Sequence, residues 1–301
     1  MAPADDASEA VPGRDENPYA AFIADCGDDA AEIQRRYEAH RAARNGQHAR
    51  LLLAPDFGGL AVDSHLVRLE REPGFRDERN CLVFWARPPI HLLRLAGTLQ
   101  EMLRQAAPHA WLMPTYRMHM TTLEVAFSKT PGEIASLVSA LRPALPRITS
   151  HTYAHRARLV RPLVSHDLSA FALSLLPAAG EPTQPDDDDD DGRRDDAYSY
   201  HHLRRDLFGL VRDAGLDVAS RYQVPSAHLT LGRFLDDADH DSPEKRRAWL
   251  EAVDGANRWL RDQVWDRPDG EWRVGHEKGL DARCGALWYG GGRTVMMGEG
   301  F

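Results

Sequence analysis

At 301 residues and 43% hydrophobic content, the chain is long enough to bury a large core, as one bilobal domain or two smaller ones. No uninterrupted apolar stretch approaches membrane-spanning length, so a helical membrane protein is excluded and no membrane partner is expected. The net charge of −9 is concentrated: Asp186 to Asp196 holds eight Asp against two Arg, a local −6, which leaves only −3 elsewhere and no broad basic surface for long nucleic acid.

In chain order, residues 1–16 are acidic and rich in Pro and Ala, with no apolar core of a secretory signal, and read as a disordered tail. Residues 17–79 read as an N-terminal helical extension. Its helix runs from Asn17 to Gln47 on the spacing of Ile33, Tyr37 and Ala42, ending near Asn45-Gly46. A buried strand, Cys81 to Trp85, stops at Pro88-Pro89, and Ile90 to Ala107 has helical spacing. A strand around His119 ends near Phe127. Thr130-Pro131-Gly132-Glu133 is a capping box with Pro at the first helical position, opening a helix to about Leu145.

The second half repeats this order. Arg158–Val164 and Leu168–Leu176 read as strands joined through Ser165-His166-Asp167. Residues 182–196 form a charged low-complexity insertion that cannot build a core and reads as a solvated loop. Tyr198 to Ala214 is helical, with Gly215 as its C′ residue. A strand around His228 follows, then a helix from Ser242-Pro243 to about Val264. Glu271–Val274 and a hairpin, Leu287-Trp288-Tyr289 against Thr294-Val295-Met296 turning on Gly290-Gly291-Gly292, close the chain. Cys26, Cys81 and Cys284 lie far apart without a C-x-x-C, which points to a reducing intracellular compartment, cytoplasmic or nuclear.

His119-Met120-Thr121 and His228-Leu229-Thr230 carry the chemistry. Fourteen His and 23 Ser or Thr predict about one His-x-Ser/Thr match by chance. Three occur. His240-Asp241-Ser242 lies in a polar run leading into a helix and is set aside. The other two share apolar flanks, a Leu after the Thr and a repeated element order. Alternate strand residues point the same way, so each motif presents an imidazole beside a hydroxyl. Two imidazoles at one phosphate ester can divide proton removal and proton donation near neutral pH, and the Thr hydroxyls can bind non-bridging oxygens. Ser226, His228, Thr230 and Gly232 form a small polar strand face. Leu123 and Val125 fall on the face of His119 and Thr121, so that strand's distal half is expected to leave the cleft for the core. Arg117, two residues before His119, offers a charge to phosphate. Trp85, Tyr222, Trp288 and Tyr289 are candidates for stacking a base. Arg233 is placed on the opposite strand face in a structural role. The scheme asks for no metal and no cofactor.

The paired H-x-T segments, about a hundred residues apart in a duplicated setting, resemble the two-histidine (2H) phosphoesterase superfamily. Its members include RNA 2′,3′-cyclic phosphodiesterases, relatives of bacterial-type RNA 2′-5′ ligases and kinase-anchor-protein-like domains. The resemblance covers about residues 80 to 300. It implies an α+β, bilobal, pseudo-duplicated fold, with two antiparallel sheets flanked by helices around a central cleft and lobes at about 80–150 and 151–301. It also implies an acid–base pair in His119 and His228, phosphate ligands in Thr121 and Thr230, and metal-independent catalysis. His228 is assigned as base and His119 as acid. The expected activity is hydrolysis of a cyclic phosphodiester, a 2′,3′-cyclic phosphate on a nucleotide or RNA end. The alternatives are cleavage of a 2′-5′ linkage, ligation at RNA ends, or a nucleotide- or RNA-binding module without turnover. A metal-dependent hydrolase using a carboxylate such as Asp167 ranks last.

Overall fold

A computed structural model describes residues 17–182, 196–221 and 223–301. The expected tail, Tyr222 and nearly all of the Asp-rich insertion lie outside them. The predicted N-terminal helix is two helices, α1 (Pro18–Asp25) and α2 (Ala30–Leu53). Gly27 and Asp28 take left-handed φ values of 62° and 56°, which ends α1. Asp29 then caps α2, its carboxylate accepting from the Glu32 amide at 2.7 Å. α2 runs through Gly46 because a turn further on it buries Leu52 in the core. α3 (Ser64–Arg71) completes the extension.

Next come β1 (Asn80–Ala86), α4 (Ile90–Arg104), β2 (Trp111–Leu112), a 3₁₀ turn at Thr115–Arg117 and β3 (Met120–Lys129). α5 (Pro131–Leu141) opens on Thr130 with both halves of the capping box made, and α6 (Leu145–Thr149) follows. β4 (Arg158–His166), β5 (Ala170–Pro177), α7 (Tyr200–Asp213), β6 (Ala227–Arg233) and α8 (Pro243–Gln263) match the predicted order. The chain ends with β7 (Trp272–Arg273), β8 (Asp281–Gly285) and β9 (Arg293–Met297). The final hairpin therefore pairs 281–285 with 293–297. Residues 286–292 form its loop, because Leu287 and Trp288 pack onto Cys81, Val83 and Trp85 rather than entering the ladder.

Two antiparallel sheets flanked by helices result. One has the order β3-β1-β8-β9, the other β2-β6-β5-β4-β7. They do not follow the expected division near residue 150: the C-terminal β8 and β9 complete the first sheet, and β2 edges the second. α5 packs on β1, β3 and β8. α8 packs on α4 and β4, and α2 on β4 and β5. Beneath the second sheet Trp249 meets Phe171, Phe234 and His240 at 5.2–5.6 Å between ring centroids, so the discarded His240 is a buried residue of the core. The two motif strands, β3 and β6, approach each other across the sheets. Among the described residues no helix is long and apolar enough to cross a membrane.

Candidate active site

His119 immediately precedes β3, at the end of the 3₁₀ turn, so strand alternation does not apply to Arg117. Its ring stacks on Trp85, with centroids 3.6 Å apart and planes 17° from parallel. Nδ1 lies 2.8 Å from the Arg117 carbonyl oxygen. A carbonyl only accepts, so Nδ1 carries the proton and Nε2 holds the lone pair when the ring is neutral. Nε2 makes no hydrogen bond among the described residues. Trp85 is 1% exposed and cannot stack a base; it seats the imidazole instead.

His228 sits on β6, half-buried, with Nδ1 3.0 Å from Ser226 Oγ. Each motif histidine is thus anchored through Nδ1 by the residue two before it. Burial pushes both pKa values down, His119 to about 3 and His228 to about 4. Beyond burial, Arg87, His228 and Arg283 oppose a proton on His119. At His228, Arg204 and Arg233 act the same way, while Asp167 works against them.

Two β-bulges decide which side chains share this region. In β3, Thr121 pairs with Trp85 and Leu123 with Phe84, leaving Thr122 as the extra residue. Thr121 therefore stands on the Trp85 face, and Leu123 turns into the core, where it is 0% exposed. Thr122 Oγ1 donates to the Phe84 carbonyl at 2.7 Å and pins the bulge. In β6, Ser174 pairs with His228, Ala172 with Thr230, Phe171 with Gly232 and Ala170 with Arg233. Leu231 is the extra residue here. Gly232 therefore leaves the polar face: a Cβ on it would lie 2.3 Å from the Phe171 ring. Arg233 takes its place beside Thr230 and His228, since Ala170, Ala172 and Ser174 alternate along one face of β5.

This corrects the strand face expected of Arg233. Its guanidinium makes no hydrogen bond or ion pair among the described residues, and its Nε is buried without a partner. The guanidinium carbon lies 5.9 Å from the centre of the Tyr289 ring. A cation of this kind on one strand face with the His228 imidazole and the Thr230 hydroxyl is suited to bind an oxyanion. The signal for it was Gly232, since a glycine inside a strand pattern marks a bulge.

Other candidates fall in supporting places. The Arg117 guanidinium lies 5.5 Å from the exposed Tyr116 ring, so its backbone carbonyl is what reaches the site. The 286–292 loop packs against it, Gly290 approaching so closely that a Cβ would lie 2.6 Å from that of Arg117. Arg79 and Arg221 lie 4.4 and 4.3 Å from the Trp288 ring, so protein cations engage it. Tyr289 is buried and donates to Asp63 at 2.6 Å. Asp167 Oδ1 accepts from the Ser169 amide, the Ser169 hydroxyl and the Ala170 amide, closing the β4–β5 turn. Sequence reading also missed Arg87 and Arg283 beside Trp85, 4.9 and 5.2 Å from its ring. Buried Asp281 holds both, at 2.7 and 3.6 Å.

No family model matches the sequence, and no curated protein matches it. Among solved structures, Kluyveromyces marxianus Usb1 is similar at 12% identity and a TM-score of 0.35, over 73% of this chain and 97% of that one. The structure of Kluyveromyces marxianus Usb1 with uridine monophosphate is similar at 11% identity and the same TM-score and coverage.

Proposed function

We propose that the protein is a phosphodiesterase that opens a 2′,3′-cyclic phosphate on a nucleotide or RNA end by two-histidine acid–base catalysis. The reading rests on one observation above all: His119, just before β3, and His228, on the neighbouring β6, are each anchored through Nδ1 by the residue two before it. Arg233 and the Thr121 and Thr230 hydroxyls would hold the non-bridging oxygens, where charge changes along the reaction.

The hydrogen bonds favour the reverse of the order expected from sequence. His119 has its Nδ1 proton committed to a carbonyl, so its neutral Nε2 is ready to take a proton from water. Ser226 can either give or accept a hydrogen bond, so it serves His228 as imidazolium. Both rings are neutral at pH 7 in the empty cleft, and a bound phosphate anion raises the proton affinity of the nearer one. The water oxygen then bonds to phosphorus while its proton passes to His119 Nε2. The P–O bond to one ribose oxygen breaks, and that oxygen takes a proton from His228. The product is a phosphomonoester, and exchange with solvent restores the pair.

The test is hydrolysis of uridine 2′,3′-cyclic monophosphate in excess EDTA, followed by chromatography. The proposal expects turnover to a single monoester, undiminished by chelator. Loss of all turnover in EDTA would favour the metal-dependent alternative. Nucleotide binding without turnover on cyclic or 2′-5′ substrates would favour the binding module.

A further inference from the structure

We propose that Arg204, on α7, is a positioning residue that sets the spacing of the two motif strands and ties it to the N-terminal helix α1. The inference rests on the two-histidine reading of the cleft. Arg204 is 1% exposed, and among the described residues no carboxylate lies within ion-pair distance of it. Burying a cation is strongly unfavourable unless its donors are well satisfied. Here the fork reaches three separate elements. Nε donates to the Thr122 carbonyl at 3.3 Å, Nη1 to the Val224 carbonyl at 2.9 Å and Nη2 to the Tyr19 hydroxyl at 3.2 Å.

The placement of those acceptors is what matters. Thr122 is the bulge residue that turns Thr121 onto the Trp85 face, beside His119. Val224 also accepts from the Ser226 amide at 2.8 Å, and Ser226 in turn anchors His228. One turn before Arg204, Tyr200 donates its hydroxyl to the Thr121 carbonyl at 2.9 Å. α7 thus grips two successive carbonyls of the first motif strand and the lead-in to the second. Tyr19 completes the set from α1: its ring lies 4.4 Å from the guanidinium, and its hydroxyl also donates to Ser220 at 3.2 Å. A lysine brings one compact charge and cannot span these acceptors, because only the planar guanidinium presents several donors in fixed directions.

Two conservative variants, Arg204→Lys and Tyr19→Phe, test this by amide hydrogen exchange and steady-state kinetics, below the melting transition of each. Exchange protection should fall in both 120–124 and 224–228, by about tenfold for Arg204→Lys and less for Tyr19→Phe. A misplacement of order 1 Å costs up to about 100-fold, so kcat should drop about 10- to 100-fold in Arg204→Lys with KM within about twofold. Unchanged protection at both segments, or loss confined to α1 and α7, overturns the proposal. So does full kcat in a folded Arg204→Lys. Inactivity of the wild type on every phosphodiester would defeat the functional reading alone, because the exchange result decides the positioning role independently.

Discussion

At the scale of single residues, the site divides its labour by what each group is already bonded to. His119 is held on two sides, by the Trp85 ring and the Arg117 carbonyl, which fixes its orientation and its tautomer. Arg233 is the opposite case, a half-buried cation left without a hydrogen-bonding partner among the described residues. A group tuned for a ligand is a poor contributor to the empty fold. Arg233→Met should therefore leave the melting temperature unchanged or raised. Losing a hydrogen bond to a charged group, worth about 1.5–3 kcal/mol, should lower kcat/KM about 10- to 100-fold. Thermal melts and steady-state kinetics on one preparation check this. A large fall in stability with unaltered kinetics would return Arg233 to a structural role.

At the scale of elements, both motif strands, the capping box at Thr130 and the Gly215 helix end are legible in sequence, because each depends on neighbouring residues alone. The faces of the motif strands are only half legible. Period-two alternation places Thr121 and His228 correctly but misplaces Gly232 and Arg233, since one extra residue in a strand reverses every side chain beyond it. The bulge at Leu231 depends on the Phe171 ring packing where a Cβ on Gly232 would sit, a contact between strands that no local pattern contains. The bulge at Thr122 has its own lock, the hydrogen bond to Phe84. Thr122→Val keeps the shape and removes that hydrogen bond, a cost of about 0.5–1.5 kcal/mol. Denaturant titration should show that loss, and kcat should fall with it because Thr121 is no longer held on the cleft face. Loss of stability with kcat intact would separate the bulge from the chemistry.

For the whole molecule, the two sheets draw strands from both halves of the chain, so the first is complete only once the C-terminal hairpin β8–β9 is in place and the second only once β7 is. The N-terminal extension is part of the same body. Asn45 donates to the Val164 carbonyl at 3.2 Å, Leu60 to Asp237 at 2.7 Å and Ala61 to the Leu168 carbonyl at 2.9 Å. The interior also encloses several histidines. Burial lowers His166 and His240 to about 4 and His201 to about 2, all below the ordinary value near 6.5. The unfolded chain takes up protons first as pH falls through 6.5, so stability is full above that value and is lost progressively below it. Each contributes up to about 1.4 kcal/mol of lost stability per pH unit between 6 and 4.5. Urea midpoints should fall accordingly from pH 7 to pH 5, and His240→Phe should flatten the slope. A slope unaltered by that substitution would show that His240 is not held neutral.

The central claim is that His119 and His228 act together on one phosphodiester. The most direct test is single-turnover hydrolysis of uridine 2′,3′-cyclic monophosphate by His119→Ala and His228→Ala, each confirmed as folded by circular dichroism. General acid–base groups contribute about 10²- to 10⁴-fold each, so each variant should lose at least about two orders of magnitude in rate. The double variant should be little worse than the poorer single one, as expected of groups acting as a unit. Wild-type rates in either folded variant would contradict the account.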